Sequence, residues 1–408
     1  MSLNEPKLPP SGQFIASVRT SCREIRTTSG VKISDDRIKQ LLSSAAFTST
    51  FSRLSGSHGV SFPLNFPSPL AELNFLSILA LLNFGSGYRV PLHRENGRGA
   101  YDNIRALLFA AYLSATDEAG QPAFFSARGM AAAQEATIAE LMRVSVHVER
   151  AHETIAGITV GELGGPLYEF VRLVTKTLKE TGEILVSRGC PDLGTFVLQC
   201  LQEAERAGKA CGGEPEPDVA LEGIVRAIPA FQDAALVKGQ PVYFFKKALF
   251  LLHAIRMRFA SASGTPRVPT VDTSRLPVYA DNVLPSLLVH LGVLDLSGTA
   301  LHKHFPAPVN DSLLAAAVTS TSGEKAAPDD GPSLTAEEAA VLRAGAVDAC
   351  ERIVEVAHAL DYDSLPEDQK WVANITLPEV DGWLWSVAKD RNDYRRLQRF
   401  SLRDTVFF

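Results

Sequence analysis

The stretch PLAELNFLSILALLNF, Pro69 to Phe84, constrains this chain more than any other. As a helix it is apolar on nearly every side, so it is either buried on all faces or set in lipid. It is shorter than the ~20 residues a membrane span needs, and it carries Glu72 and Asn74. It therefore reads as a core helix that the rest of the chain has to cover. A chain of 408 residues, 46% hydrophobic and 21% charged, has the material to do so as one large domain or two modest ones.

Helical periodicity dominates elsewhere. Ser34, followed by Asp35 and Asp36, caps RIKQLLSSAAF, and the core helix stops at FGSG. Further helical runs are AYDNIRALLFAAYLSA, SARGMAAAQEATIAELMRV with Ser126 as its cap, LYEFVRLVTKTLKETGEILVSRG, LGTFVLQCLQEAERAG and DVALEGIVRAI. The turn KGQ precedes PVYFFKKALFLLHAIRMRFA, and TAEEAAVLRAGAVDACERIVEVAHAL is a long capped amphipathic helix. Strand and helix do not alternate as a parallel sheet requires. Short strands are expected only near Phe124 and at the C-terminal DTVFF. The fold class is mainly α, with residues 1–33 as an N-terminal extension to a single helical domain over 34–408. Stretches 207–218, 261–274 and 306–333 are rich in Gly, Pro and small polar residues and read as loop insertions, the last of them as a mobile one.

A net charge of -6 opposes the basic footprint that duplex nucleic acid demands. Cys22, Cys190, Cys200, Cys211 and Cys350 are scattered without a CxxC pair, as expected of reduced thiols in the cytoplasm. The N-terminus lacks the basic and apolar regions of a signal peptide. No Walker loop, paired-glycine fingerprint, HExxH or nucleophile elbow occurs. Gly85 and Gly87 follow a helix and read as its stop, and His302 and His304 beside a loop read as exposed residues, so no metal is expected.

The last third carries a resemblance. IPAFQDAALVKGQPVYFFKKALFLLHAI, LPVYADNVLPSLLVHLGVLDLS, LPEVDGWLWSVAKDR and the terminal DTVFF are similar, in order and spacing, to segments of the queuosine salvage family. LLNFGSGYR and GAYDNIRALLFAA resemble segments near its first core helix. The resemblance implies a helical fold like that of the helical DNA-repair glycosylases. It also implies hydrolysis of the N-glycosidic bond of queuosine 5'-monophosphate to queuine and ribose 5-phosphate, for salvage of the base into tRNA. No cofactor is implied, nor direct tRNA, DNA or membrane contact, and oligomeric state is left open. Two rival readings stay open: a DNA base glycosylase, by fold analogy alone, and a non-catalytic helical interaction scaffold.

Breaking a base–ribose bond builds positive charge on the sugar, which a fixed anion stabilises. Asp281 in VYADNVLP matches the family's catalytic aspartate, although an aspartate there is equally a cap for the helix that follows. A 7-deazapurine has no N7 to protonate, so its guanine-like edge, with two N–H donors, is the natural handle. The resemblance assigns that edge to Asp381, with Gly382 and Ser386 at the adjoining matched positions. Here the family commonly has a tyrosine and an aspartate, so recognition of queuine's cationic side chain is weakened or passes to Asp390. Tyr279 is expected to stack on the base or to pack in the core. His58 is expected near the substrate or idle in its Gly/Ser-rich loop. Lys246 is expected to take the phosphate, or with Lys247 to snorkel to the surface. Asp233 is expected to be structural, Asn83 and Phe84 to shape the pocket wall, and Trp385 rather than Trp383 to point inward.

Overall fold

The computed structural model describes residues 6–56, 59–114, 123–155, 157–261, 267–306, 309–316 and 331–408. Its architecture is helical, with three two-stranded antiparallel ladders among the described residues. The apolar helix spans Pro69–Leu81, with Ser68 accepting from the Ala71 N–H and proline at its start, and every residue from Leu73 to Leu81 is buried. The helices Leu193–Ala210, Lys246–Phe259 and Ala100–Tyr112 pack around it. Its two interruptions are structural. Glu72 accepts from Arg258 Nε at 2.7 Å, and Asn74 donates to the Phe125 carbonyl at 3.1 Å while accepting from the Gly194 N–H at 3.0 Å. Gly194 is where the two helices touch: a Cβ there would lie 2.5 Å from Asn74 Cα.

The long helix Ala336–His358 is closed by a capping box between Thr335 and Glu338 and is buried along most of its length. The helix Phe14–Thr28 lies along it, burying Phe14, Val18, Cys22 and Ile25. Arg19 and Arg23 bind Glu351, and Arg23 and Arg26 bind Asp348. The start of that first helix is capped from a distance by Asp218, which accepts from the Phe14 and Ile15 N–H groups at 3.1 and 2.6 Å. Residues 14–28 of the segment set apart by sequence are thus tied into the helical body.

The KGQ turn is a two-residue hairpin. Lys238 and Gly239 both have positive φ (49° and 80°), as a type I′ turn requires, and they join Ala234–Val237 to Gln240–Tyr243. The other ladders pair Lys32–Ile33 with Leu294–Asp295 and His147–Ala151 with Thr159–Leu163.

Several expectations are corrected. Phe124 lies in a 3-10 turn, Ala123–Phe125, and DTVFF forms no strand; each has only an isolated bridge nearby, Ser126 to Asp192 and Ser333 to Ser401. Neither segment meets a second extended chain, and without one its β-forming residues have no ladder to join. The C-terminus instead closes over the end of the core helix: the Gly85 N–H donates to the Phe408 carbonyl at 3.1 Å, and Phe408 is buried. The run from Ser126 breaks into Ala127–Ala131 and Glu135–Met142. Helices reach into both ends of 207–218, stopping at Ala210 and restarting at Pro217. In 306–333, residues 311–314 form a 3-10 turn with Leu313 buried, and the Leu313 and Ala315 carbonyls accept from Tyr394 and Arg391, so this part is packed rather than loose. Among the described residues no single helix is long and apolar enough to cross a membrane.

Candidate active site

Four consecutive residues, Tyr279 to Asn282, form a strap in front of the helix Val283–His290, and each is anchored. The Tyr279 N–H donates to Asp381 Oδ2 at 2.7 Å, and the Ala280 carbonyl accepts from Arg343 Nε at 2.8 Å. Asp281 Oδ1 accepts from the Val283 N–H at 2.6 Å, and Asn282 Nδ2 donates to the Phe400 carbonyl at 2.8 Å. Asp281 thus bonds the first N–H of the helix from the position before its N-cap, Asn282. It also faces a cavity, and the two roles coexist.

The groups behind the strap are buried and charged. Asp233 and Arg343 form a two-pronged ion pair at 2.9 and 2.6 Å. The Arg343 guanidinium is sandwiched between the rings of Phe244 and Phe408, 4.0 and 4.2 Å from their centroids. Asp233 also accepts from the Lys246 N–H at 3.2 Å, while its own carbonyl accepts from the N–H groups of Phe244 and Phe245. The hairpin thus delivers Lys246 into the site in a fixed orientation.

The cavity's empty space is ≈ 730 Å³ with its open mouth included. The lining is partly aromatic, with Phe84, Tyr101 and Trp385, of which Tyr101 and Trp385 meet edge to face at 5.3 Å. It is also basic, with Arg89, His93, Arg395 and Arg399. Arg399 Nη2 donates to the Ala388 carbonyl, but its Nε, and the Ser86 Oγ of the same lining, are buried with no partner among the described residues. Burial pushes the Arg399 guanidinium down to about 9, and burial with Arg395 and Arg89 close by pushes His93 down. Buried donors without acceptors are costly unless a ligand supplies them. Among the described lining residues the carboxylates are Asp102 and Asp281, against the cations Arg89, Lys246, Lys389, Arg395 and Arg399. Such a site suits an anion.

Of the residues singled out in the sequence, Asn83, Phe84, Lys246, Asp281 and Trp385 share this wall. Lys246 does not snorkel: its Nζ donates to Asn83 O at 2.7 Å and to Asn83 Oδ1 at 3.3 Å, so two of its three N–H groups are committed. Burial lowers its pKa and the nearby Asp281 opposes that. Lys247 is fully buried too, donating to the Leu81 carbonyl at 2.8 Å. Trp383 faces the core, its Nε1 donating to Thr50, and leaves the cavity face to Trp385.

Asp381, Tyr279, Gly382, Ser386 and Asp233 lie one layer behind the wall. The Asp381 oxygen that binds Tyr279 N–H is spent on the strap, and the Tyr279 ring packs edge-on against Phe250. Asp390 points away from the site, paired with Arg53 through two bonds of 2.8 and 2.7 Å. His58 lies outside the described residues; Gly59, next in sequence, sits against Tyr101 and Trp385, with the Tyr101 hydroxyl donating to its carbonyl. His304 is bonded to Glu338 at 3.1 Å. Among the described residues no group of three or more His, Cys, Asp or Glu is placed to hold a metal ion.

Sequence reasoning missed Ser86, Arg89, His93, Tyr101, Asp102, Lys389, Arg395 and Arg399. The arginines at 395 and 399 fall in RNDYRRLQRF, which reads as a solvated basic turn, and only the fold shows Arg399 to be buried.

Compared with known proteins, the chain matches the family model described as queuosine salvage protein over residues 110–307. A relative in Sphaerobacter thermophilus, named queuosine 5'-phosphate N-glycosylase/hydrolase, is 28% identical over 233 residues, 57% of this chain and 59% of that protein. Relatives of the same name in Mus musculus and Bos taurus are 28% and 27% identical over 128 residues, 31% of this chain and 33% of theirs. The chain thus spans less than two thirds of the length of each. The matched family segment contains Asp233, Lys246 and the 279–282 strap, and ends before the helix that carries Asp381, Trp385 and Lys389.

Proposed function

We propose that this chain, which is similar to the queuosine salvage proteins across its Asp281 strap, hydrolyses the N-glycosidic bond of queuosine 5'-monophosphate and releases queuine and ribose 5-phosphate. The observation that carries this reading is a carboxylate held rigidly in the wall of a cavity whose lining is both aromatic and cationic. A nucleotide offers a partner for each: a flat base for the aromatic side chains and a phosphate for the cations, with the sugar carbon between them.

In this reading the base lies among Phe84, Tyr101 and Trp385, where stacking on aromatic faces is worth ~1–3 kcal/mol. The phosphate goes to Arg89 and Arg399, with the unpartnered Arg399 Nε and Ser86 Oγ as its hydrogen-bond donors. Lys246, tied to Asn83, is better placed to hold the wall beside Asp281 than to reach the phosphate. Asp281 faces the anomeric carbon. Positive charge grows there as the bond to the base stretches, and a fixed anion lowers the barrier without reorganising. Its carboxylate also orients the attacking water and takes a proton from it. Asp381 works through the strap, by fixing Tyr279 and hence Asp281, and it is a positioning residue rather than the base's direct partner. Gly382 and Ser386 are buried on the same helix, the Ser386 Oγ without a partner among the described residues.

Incubation with queuosine 5'-monophosphate, with the free base followed by mass spectrometry, tests the reading. Wild-type protein should release queuine, and Asp281→Asn should lose activity by a factor of at least about 10². Equal turnover by the two proteins removes Asp281 from the chemistry. No release by either removes the proposed activity.

A further inference from the structure

One cation in the cavity wall has no part in the chemistry described so far. Lys389 lies one helical turn after Trp385, its Nζ 3.2 Å from the centroid of the Trp385 ring and 5.0 Å from that of Tyr101. It lines the same cavity as Tyr101 and Trp385, and Arg399 binds the carbonyl of the residue before it. Among the described residues its ammonium makes no ion pair and no hydrogen bond, and its contact is with the Trp385 ring face. The charged groups that face it are Asp102 and Arg105 from the helix Ala100–Tyr112, Arg399 from the C-terminal stretch and Asp281 from the strap.

The chemistry leaves a gap at this place. When the base departs, the electron pair of the broken bond stays with it, and a 7-deazapurine has no N7 to be protonated beforehand. A proton has to come from elsewhere in the site. The arginines stay charged near neutral pH. Lys246 has two of its donors on Asn83, and burial pushes the Tyr101 hydroxyl pKa up. We propose that Lys389 is the general acid of the reaction, giving a proton to the base as the bond to ribose breaks. The assignment rests on the nucleotide hydrolysis proposed above. In the balanced step the C1′–N9 bond breaks with its electron pair on the base, and Lys389 supplies a proton so that the base leaves neutral. Water adds to C1′ and gives its proton to Asp281, and that proton returns through solvent to the Lys389 amine. Burial suits the amine to this role by bringing it down to about 7, with Asp102 and Asp281 opposing the shift and Arg399 and Arg105 adding to it.

The sign of the pH dependence follows. The protonated amine is the active form, so kcat/KM should fall about tenfold per pH unit above about 7. Lys389→Met should lower kcat for queuosine 5'-monophosphate at pH 6.5 by at least about 10²-fold and abolish that alkaline limb. Lys389→Arg keeps the charge but holds its proton, and should not rescue. A Lys389→Met protein within threefold of wild type, or rescue by arginine, overturns the proposal, because either shows that a positive charge or nothing at all is needed there. Titration of the Lys389 amine in the free protein, by amine labelling read by peptide mass spectrometry, needs no substrate. An ordinary lysine value overturns the general-acid role even if queuine is released, whereas a wild-type protein that releases no queuine overturns the proposed activity itself.

Discussion

Replacing Asp233 by alanine removes one half of an ion pair that is almost wholly out of water: Asp233 is 1% exposed and Arg343 3%. The Arg343 guanidinium would keep the Ala280 carbonyl and the faces of Phe244 and Phe408, but no counter-charge. Breaking a buried pair from one side costs about 3–5 kcal/mol. The Lys246 N–H loses its acceptor as well, about 1 kcal/mol more. With an unfolding entropy of about 2.1 cal/mol/K per residue, a chain of 408 residues has roughly 0.9 kcal/mol/K at its midpoint, so a loss of about 4–6 kcal/mol lowers Tm by about 5–7 °C. Differential scanning calorimetry reads this directly. The companion variant carries Asp233→Leu and Arg343→Met together. It leaves no orphaned charge and should lie much closer to wild type in stability, since apolar replacement of a whole buried pair is often neutral. It should still lose turnover, because Ala280, next to Asp281, has lost its anchor. If Asp233→Ala costs less than about 1 kcal/mol, or if the double variant is as unstable as the single one, the pair does not hold the strap in the way described.

Further outcomes are expected. Gly194→Val places side-chain atoms where Asn74 backbone already lies within 2.6 Å of a Cβ, so the core helix and Leu193–Ala210 must separate; urea unfolding should show about 1–3 kcal/mol of destabilisation, and an unchanged midpoint would mean that the helices do not touch there. Arg399→Gln should raise KM for queuosine 5'-monophosphate by about tenfold or more, the worth of one charge-assisted hydrogen bond, while KM for the nucleoside without phosphate stays put. Equal effects on both substrates would move the phosphate elsewhere.

Much of the frame is legible along the chain. A run of apolar residues with no polar face can only be interior, and Leu73 to Leu81 are all buried. Lys238–Gly239 needs positive φ at two successive positions, and the KGQ turn is where the hairpin falls. Ser34 and Thr335 cap helices because their hydroxyls are the nearest acceptors for first-turn N–H groups. Beyond this, local pattern gives out. Arg399 and Lys389 look like solvated charge, since burial of a cation is set by what packs over it and not by its neighbours in sequence. Likewise Phe407 and Phe408 have the β-forming character of a strand, yet the segment's fate was decided by the absence of a second extended chain and the presence of a groove beside Gly85 and Arg343. Asp381 and Asp390 lie on the same helix, and only the fold separates the carboxylate that holds the strap from the one that meets Arg53.

The most direct measurement is a crystal structure of the Asp281→Asn protein soaked with queuosine 5'-monophosphate. The expected complex has the carboxamide introduced at position 281 in contact with C1′ of the ribose, the base between Trp385 and Phe84, and the phosphate on Arg399 Nε and Ser86 Oγ. A nucleotide bound in the opposite sense, or one whose sugar carbon lies beyond reach of residue 281, would contradict the account at its centre.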